Sequence, residues 1–207
     1  MEPEAGFGHT MVSKSGRGFY GHSIPASRPH RYGRLPAIQE SRKEKLSGFV
    51  KWVQEQVTGD EKGEAHLFLD RLFQAFGHLG LKEAGATLEH RVKNTTGGTS
   101  FADLVWKPTV LIEMKKSGTN LQRHYRQAFD YWVRLVPNRP RYVVLCNFDQ
   151  FLIYDFNAQM DSPVDEVSLR ELPDRYGPLS FLFAVYEKPV FGNDQQAVTR
   201  EAANLLA

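Results

Sequence analysis

The sequence predicts an α/β domain, a single mixed β-sheet covered by helices. Three observations carry that reading. Two segments with apolar residues at three- and four-residue steps come first. Three short runs rich in β-branched and aliphatic residues follow, punctuated by Gly and Pro. Another helical segment then separates these from a second pair of apolar runs. The order helix, helix, strand, strand, strand, helix, strand, strand is that of layered α/β architecture.

Residues 1 to 36 are rich in Gly, Ser, Pro, His and Arg and lack a sustained apolar period, so they are expected to form a flexible N-terminal extension. A cloning or mis-start extension is equally compatible, with Met11 available as a second start. Arg28, Arg31 and Arg34 are more simply solvated than phosphate-binding. Helical periodicity begins near Ala37, where Leu46, Phe49, Val50, Val53 and Val57 recur on one face. Thr58-Gly59-Asp60 interrupts it, and Asp60 is a fair N-cap for a second helix. Leu67, Leu69, Leu72, Phe73 and Phe76 should supply that helix's buried stripe, closed by Gly77 and Gly80.

Thr87 to Lys93 reads as a strand, followed by a Gly-Gly turn within residues 94–99. Strands at about 100–106 and 109–115 flank Lys107-Pro108. A helix from about 119 to 136 should end before Pro137, and Tyr142–Asn147 with Phe151–Phe156 form a second strand pair around Asp149-Gln150. Leu179 to Val185 is read as a short helix. Residues 37–190 are therefore expected to be the folded domain. Residues 191–207 look like the start of a helical connector to domains absent from this sequence.

At 207 residues the chain can bury a real core, and 41% hydrophobic with 12% aromatic content marks it as globular. A formal charge of +2 neither demands nor excludes a nucleic-acid partner. The seven histidines lack metal-ligand spacing, and the single cysteine, Cys146, lies in an apolar run that suits a buried thiol. No apolar stretch approaches the roughly 20 residues needed to span a bilayer, and no signal peptide is visible, so a cytoplasmic location is expected.

Chemistry concentrates in Ser100 to Lys116. Asp103 falls on one short strand and Glu113 and Lys115 on the next. Strand side chains alternate, so Leu111, Glu113 and Lys115 share one face and Ile112 and Met114 take the other. A Glu-x-Lys triplet alone is usually a solvated surface decoration. Here it sits in an apolar strand, where charges are costly without a partner or an ion. Adjacent strands are about 4.8 Å apart, so two carboxylates on one face can share a hard divalent cation. The next helix carries Gln127 and Tyr131, four apart and on one helical face.

This pattern resembles the PD-(D/E)XK nuclease superfamily, with Asp103, Glu113 and Lys115 in the motif positions and Gln127-x-x-x-Tyr131 like the extra motif of its RecB-like branch. Ala102 stands where that motif often has proline. Gly98 to Phe156 is more narrowly similar to the N-terminal nuclease domain of MmeI-like type IIL restriction–modification enzymes. The similarity rests on Phe101-Ala-Asp103, the nine-residue gap to Glu113, Tyr125-x-Gln127-x-x-x-Tyr131 and the Val143–Asp149 strand. The resemblance implies a restriction-endonuclease-like core and Mg²⁺-dependent hydrolysis of double-stranded DNA, Mn²⁺ being able to substitute.

It further implies metal binding by Asp103, Glu113, the Met114 carbonyl and Glu64, with Lys115 and Gln127 catalytic. Lys116, Arg123, Arg126 and Tyr131 would contact DNA, with Lys93 and His124 near the same rim. An exposed strand end is the plainer alternative for Lys116 and a solvated helix face for His124, and such a face is an equal alternative for the other basic residues. Core packing is the alternative for Tyr131, and core or rim packing for Trp106 and Trp132. In that family the nuclease is fused to an adenine methyltransferase, which holds S-adenosylmethionine, and to a target-recognition domain; neither has its motifs here. A free-standing repair or junction nuclease, or a catalytically inactive DNA- or protein-binding module of the same fold, would share the pattern.

Overall fold

The computed structural model describes residues 35–93 and 98–192, with side chains from Arg42 onward. Residues 1–34 of the expected extension, positions 94–97 of the expected turn, and the expected connector from residue 193 on lie outside the described residues. Two helices open the domain: α1, Leu35–Gln56, and α2, Glu61–Ala75. Leu46, Phe49, Val50 and Val53 are buried at the expected spacing on α1. Asp60 caps α2 by accepting from the Lys62 N–H at 3.4 Å, and Glu61 and Glu64 in the first turn complement the helix dipole.

Among the described residues six strands form one sheet in sequential order: β1 Thr87–Lys93, β2 Thr99–Trp106, β3 Val110–Met114, β4 Tyr142–Cys146, β5 Gln150–Asp155 and β6 Asp165–Ser168. Every neighbouring pair is antiparallel except β3 and β4, which run parallel with Glu113 opposite Leu145. The crossover joining these two contains a 3₁₀ turn, Leu121–His124, and helix α3, Tyr125–Arg134. Every residue of β3 and β4 is buried, as expected for central strands covered on both faces.

Two apolar cores sandwich the sheet. One joins α1 and α2 to Leu104, Ile112, Met114, Val144 and Ile153 and is rich in rings; Phe68 lies 5.2 Å from Phe49 and 5.0 Å from Phe148, both edge-on. The other sets Ala128, Tyr131 and Trp132 of α3 against Leu111, Val143, Leu145 and Tyr154. Leu111 thus faces α3 while Ile112 and Met114 face the first two helices, as the alternation predicts. Trp106 packs at the edge of the first core and donates to the Ala84 carbonyl at 2.8 Å; Trp132 donates to the Pro140 carbonyl at 2.6 Å.

Several expectations are corrected. Leu67 is 51% exposed, and Phe68, fully buried, takes its place in the stripe. A run of adjacent apolar residues on a helix does not reveal which of them faces inward until the packing partner is known. Gly77, with φ +93°, ends α2, whereas Gly80 lies in the following turn. The expected helix 119–136 is a 3₁₀ turn and a shorter α-helix that stops at Arg134, because Pro137 has no N–H and disfavours helical geometry just before it. Leu179–Val185 is a 3₁₀ helix at Gly177–Leu182, with Phe183 already extended. The edge strand β6 had no counterpart in the sequence reading. Among the described residues, no helix is long and apolar enough to cross a membrane.

Candidate active site

The candidate site lies where β3 emerges from the sheet, between β2 and the N-terminus of α2. β2 and β3 pair from Trp106↔Val110 to Leu104↔Ile112, and there the regular ladder stops. Asp103 supplies what comes next through its side chain. Its carboxylate accepts from the Met114 N–H at 2.7 Å, and its own N–H donates to the Glu113 carboxylate at 3.3 Å. The pairing with β1 is interrupted at the same level. Leu88↔Leu104 and His90↔Ala102 flank Glu89, which adopts a positive φ of 46°. Asp103 therefore occupies a position where both ladders yield.

Glu113 and Lys115 project together. Glu113 is 1% exposed and Lys115 5% exposed, and the ammonium stands 3.4 Å from the Glu113 carboxylate. It also donates to the Met114 carbonyl at 2.6 Å. Burial, and then the adjacent Asp103 carboxylate, push Glu113 up to about 8, with Lys115 pulling the other way. Asp103 is raised too, chiefly by burial, against the opposing Met114 hydrogen bond and the Lys115 charge. Lys115 is raised, the carboxylates of Glu113, Glu61 and Asp103 outweighing the burial that lowers it. The structure thus brings Asp103, Glu113, Lys115 and the Met114 carbonyl to one place.

Glu64 does not join them. Its carboxylate is committed to the turn before α2, accepting from the backbone N–H groups of Thr58, Gly59 and Asp60 at 3.0, 2.8 and 2.9 Å and from the Thr58 hydroxyl at 3.1 Å. Those bonds hold it below the usual glutamate range. The acidic side chain of α2 that reaches the site is Glu61, at 3.4 Å from the Lys115 ammonium and 3.2 Å from the Lys116 N–H. Sequence reasoning missed it, although one signal was present: a residue directly after an N-cap projects beyond the helix end, because helical side chains lean toward the N-terminus.

The remaining candidates are placed as follows. The Gln127 amide donates to the Tyr131 hydroxyl at 3.2 Å on α3, so these two meet each other, with no hydrogen bond to Asp103, Glu113 or Lys115. Tyr131 is a core residue as well. Lys116, Arg123 and Lys93 are exposed and His124 is half-buried; Arg126 is exposed in an ion pair with Asp130 at 3.3 Å. Cys146 is fully buried and its thiol is pushed up by burial, which suits a structural group and not a nucleophile.

Among the described residues no three His, Cys, Asp or Glu side chains form a ready metal cage. The donor set here is two carboxylates and a backbone carbonyl. All three are hard oxygens and the carboxylates carry more negative charge than burial tolerates, which fits a hard divalent cation that keeps part of its water shell. By fold and site the chain is an α/β protein with a restriction-endonuclease-like core, whose carboxylate pair and lysine sit at the exit of a central strand.

The profile of the MmeI N-terminal domain matches residues 41–207, and the chain belongs to that family. No curated protein matches it significantly. Among solved structures, one titled "cryoEM structure DrdV-DNA complex" is similar to it, at 15% identity and a TM-score of 0.43. That match covers 71% of this chain and spans 14% of the other.

Proposed function

We propose that this domain is the DNA-cleaving module of a restriction–modification enzyme, hydrolysing phosphodiester bonds with Mg²⁺. The observation that carries the reading is the meeting of Asp103, Glu113 and Lys115 at the end of β3, fastened by the Asp103–Met114 bond at 2.7 Å. Family membership supports it. Asp103, Glu113 and the Met114 carbonyl would hold the ion. Bound there, a divalent cation supplies Lewis acidity to a phosphate and lowers the pKa of a water.

The chain's own residues supply the rest. Lys115, nearly enclosed, places a fixed positive charge where charge develops on the phosphorane, and charge so placed in a partly dried site acts far more strongly than in water. Lys116, Arg123 and Arg126 offer exposed cations to the backbone of double-stranded DNA. Gln127, on the helix over the Glu113 side of the sheet, is the second candidate for contact with substrate. Fusion to a methyltransferase that uses S-adenosylmethionine and to a target-recognition domain belongs to the same proposal.

In the full-length protein, Glu113→Ala and Lys115→Ala are expected to abolish DNA cleavage while the domain keeps its circular-dichroism spectrum. Calorimetry on the chain should show Mg²⁺ or Mn²⁺ binding that disappears in Asp103→Ala. Cleavage that survives either substitution, or metal binding indifferent to Asp103, would leave a non-catalytic module of the same fold.

A further inference from the structure

We infer that Glu61 is the positioning residue for Lys115, and that the close contact of Gly59 with Ser117 sets its reach. This rests on the nuclease reading and adds to it a residue outside the three-residue motif. A lysine ammonium has three donors on a flexible four-carbon stem, so its direction depends on what it is tied to. Here it has three acceptors: the Met114 carbonyl at 2.6 Å, Glu113 at 3.4 Å and Glu61 at 3.4 Å. The first two belong to its own strand. Among the described residues, Glu61 alone accepts from it across elements, reaching it from α2.

Glu61 is itself held in orientation. One carboxylate oxygen faces the ammonium and the other accepts from the Lys116 N–H at 3.2 Å, so a single side chain grips both side chain and backbone of consecutive residues. Both oxygens are thereby directed at N–H donors of the Lys115–Lys116 segment.

The turn before Glu61 is pinned to the same stretch of chain. Ser117 donates its N–H to the Gly59 carbonyl at 3.1 Å. A Cβ at Gly59 would lie 2.3 Å from the Ser117 Cβ, and the φ of +84° there further favours glycine. Asp149 fixes Ser117 from the other side, accepting from its hydroxyl at 2.6 Å and from the Gly118 N–H at 3.2 Å. With Glu64 holding the Thr58–Asp60 amides, the start of α2 and the exit of β3 are locked at one spacing, which the Glu61 side chain spans.

Amide exchange at Lys116 in the ¹⁵N-labelled chain tests the contact without relying on activity. Protection is expected in the parent, a loss of about tenfold in Glu61→Ala, and retention in Glu61→Gln, which keeps an acceptor. Gly59→Ala should reproduce the loss. In the full-length protein, Glu61→Ala should lower kcat by about tenfold or more, with KM and Mg²⁺ affinity within about twofold and partial rescue in Glu61→Gln. A Lys116 amide unaffected by Glu61→Ala, or an unchanged kcat, overturns the inference. So does a fall in Mg²⁺ affinity that parallels kcat, which would make Glu61 an ion ligand. If the parent cleaves no DNA, the nuclease reading fails, and the exchange experiment alone decides whether Glu61 holds this turn.

Discussion

The Asp103 carboxylate takes the Met114 N–H at 2.7 Å, so a side chain continues the hydrogen bonding where the β2–β3 ladder stops. One acidic group thus closes the backbone of the strand that carries Glu113. Asp103→Ala strands a buried N–H and should cost about 1–3 kcal/mol. Asp103→Asn keeps an acceptor and removes a charge beside Glu113, so it should match or exceed the parent in stability. Urea denaturation of the three proteins separates these outcomes, and metal calorimetry should show both variants deficient.

Glu113 makes stability depend on pH. Its carboxyl, ordinarily near 4.5, is pushed up to about 8 by burial and by Asp103. Between those values the folded chain holds the proton and the unfolded chain does not. The stabilisation is therefore complete below about pH 4.5 and is lost as pH rises through about 8. In metal-free buffer the Tm should fall between pH 5 and 8, and Glu113→Gln should flatten that slope. Mg²⁺ at pH 8 should raise the Tm of the parent and leave Glu113→Gln unmoved. Identical slopes in parent and variant would show that Glu113 ionises freely.

Phe68 and Leu67 are neighbours in sequence with opposite fates. Phe68→Ala removes a fully buried ring packed on Phe49 and Phe148 and should cost about 3–5 kcal/mol. Leu67→Ala, half exposed, should stay within about 0.5 kcal/mol. Chemical denaturation midpoints check both.

Two arginine pairs offer a similar contrast. Arg141 donates to the buried Asp155 carboxylate through Nε at 3.1 Å and Nη2 at 2.6 Å, and its loss should cost about 1.5–3 kcal/mol. Arg126, paired on the surface with Asp130, should contribute no more than about 0.5 kcal/mol. If Arg126 meets DNA, Arg126→Ala should weaken binding and reduce its salt dependence while the Tm stays put.

The strands bearing Asp103 and Glu113 are legible in the sequence because alternation and a Lys-Pro turn are local signals, and the buried faces follow from them. The layered fold is legible for the same reason. Strand β6 is not, since Asp165–Ser168 is short and acidic and owes its form to backbone pairing with β5. Choosing Glu61 over Glu64 needs more than the helix-end signal that Glu61 carries as the residue after the N-cap. The two stand one turn apart on the same helix, and only the path of the Thr58–Asp60 turn decides which carboxylate caps and which reaches Lys115. The interruption of the β1–β2 pairing opposite Asp103 falls at Glu89, fourteen residues earlier, and has no local signature at all.

The chain's three tryptophans are distributed so that each layer carries its own optical reporter. Trp132 points into the core from α3, Trp106 borders the opposite core, and Trp52 sits under the Arg71 guanidinium at 4.6 Å on the helical surface. Replacing them by Phe in pairs would leave single-fluorophore proteins whose emission reads the two sides of the sheet and the outer helices separately. Coincident melting of the three signals would establish that the layers come apart together.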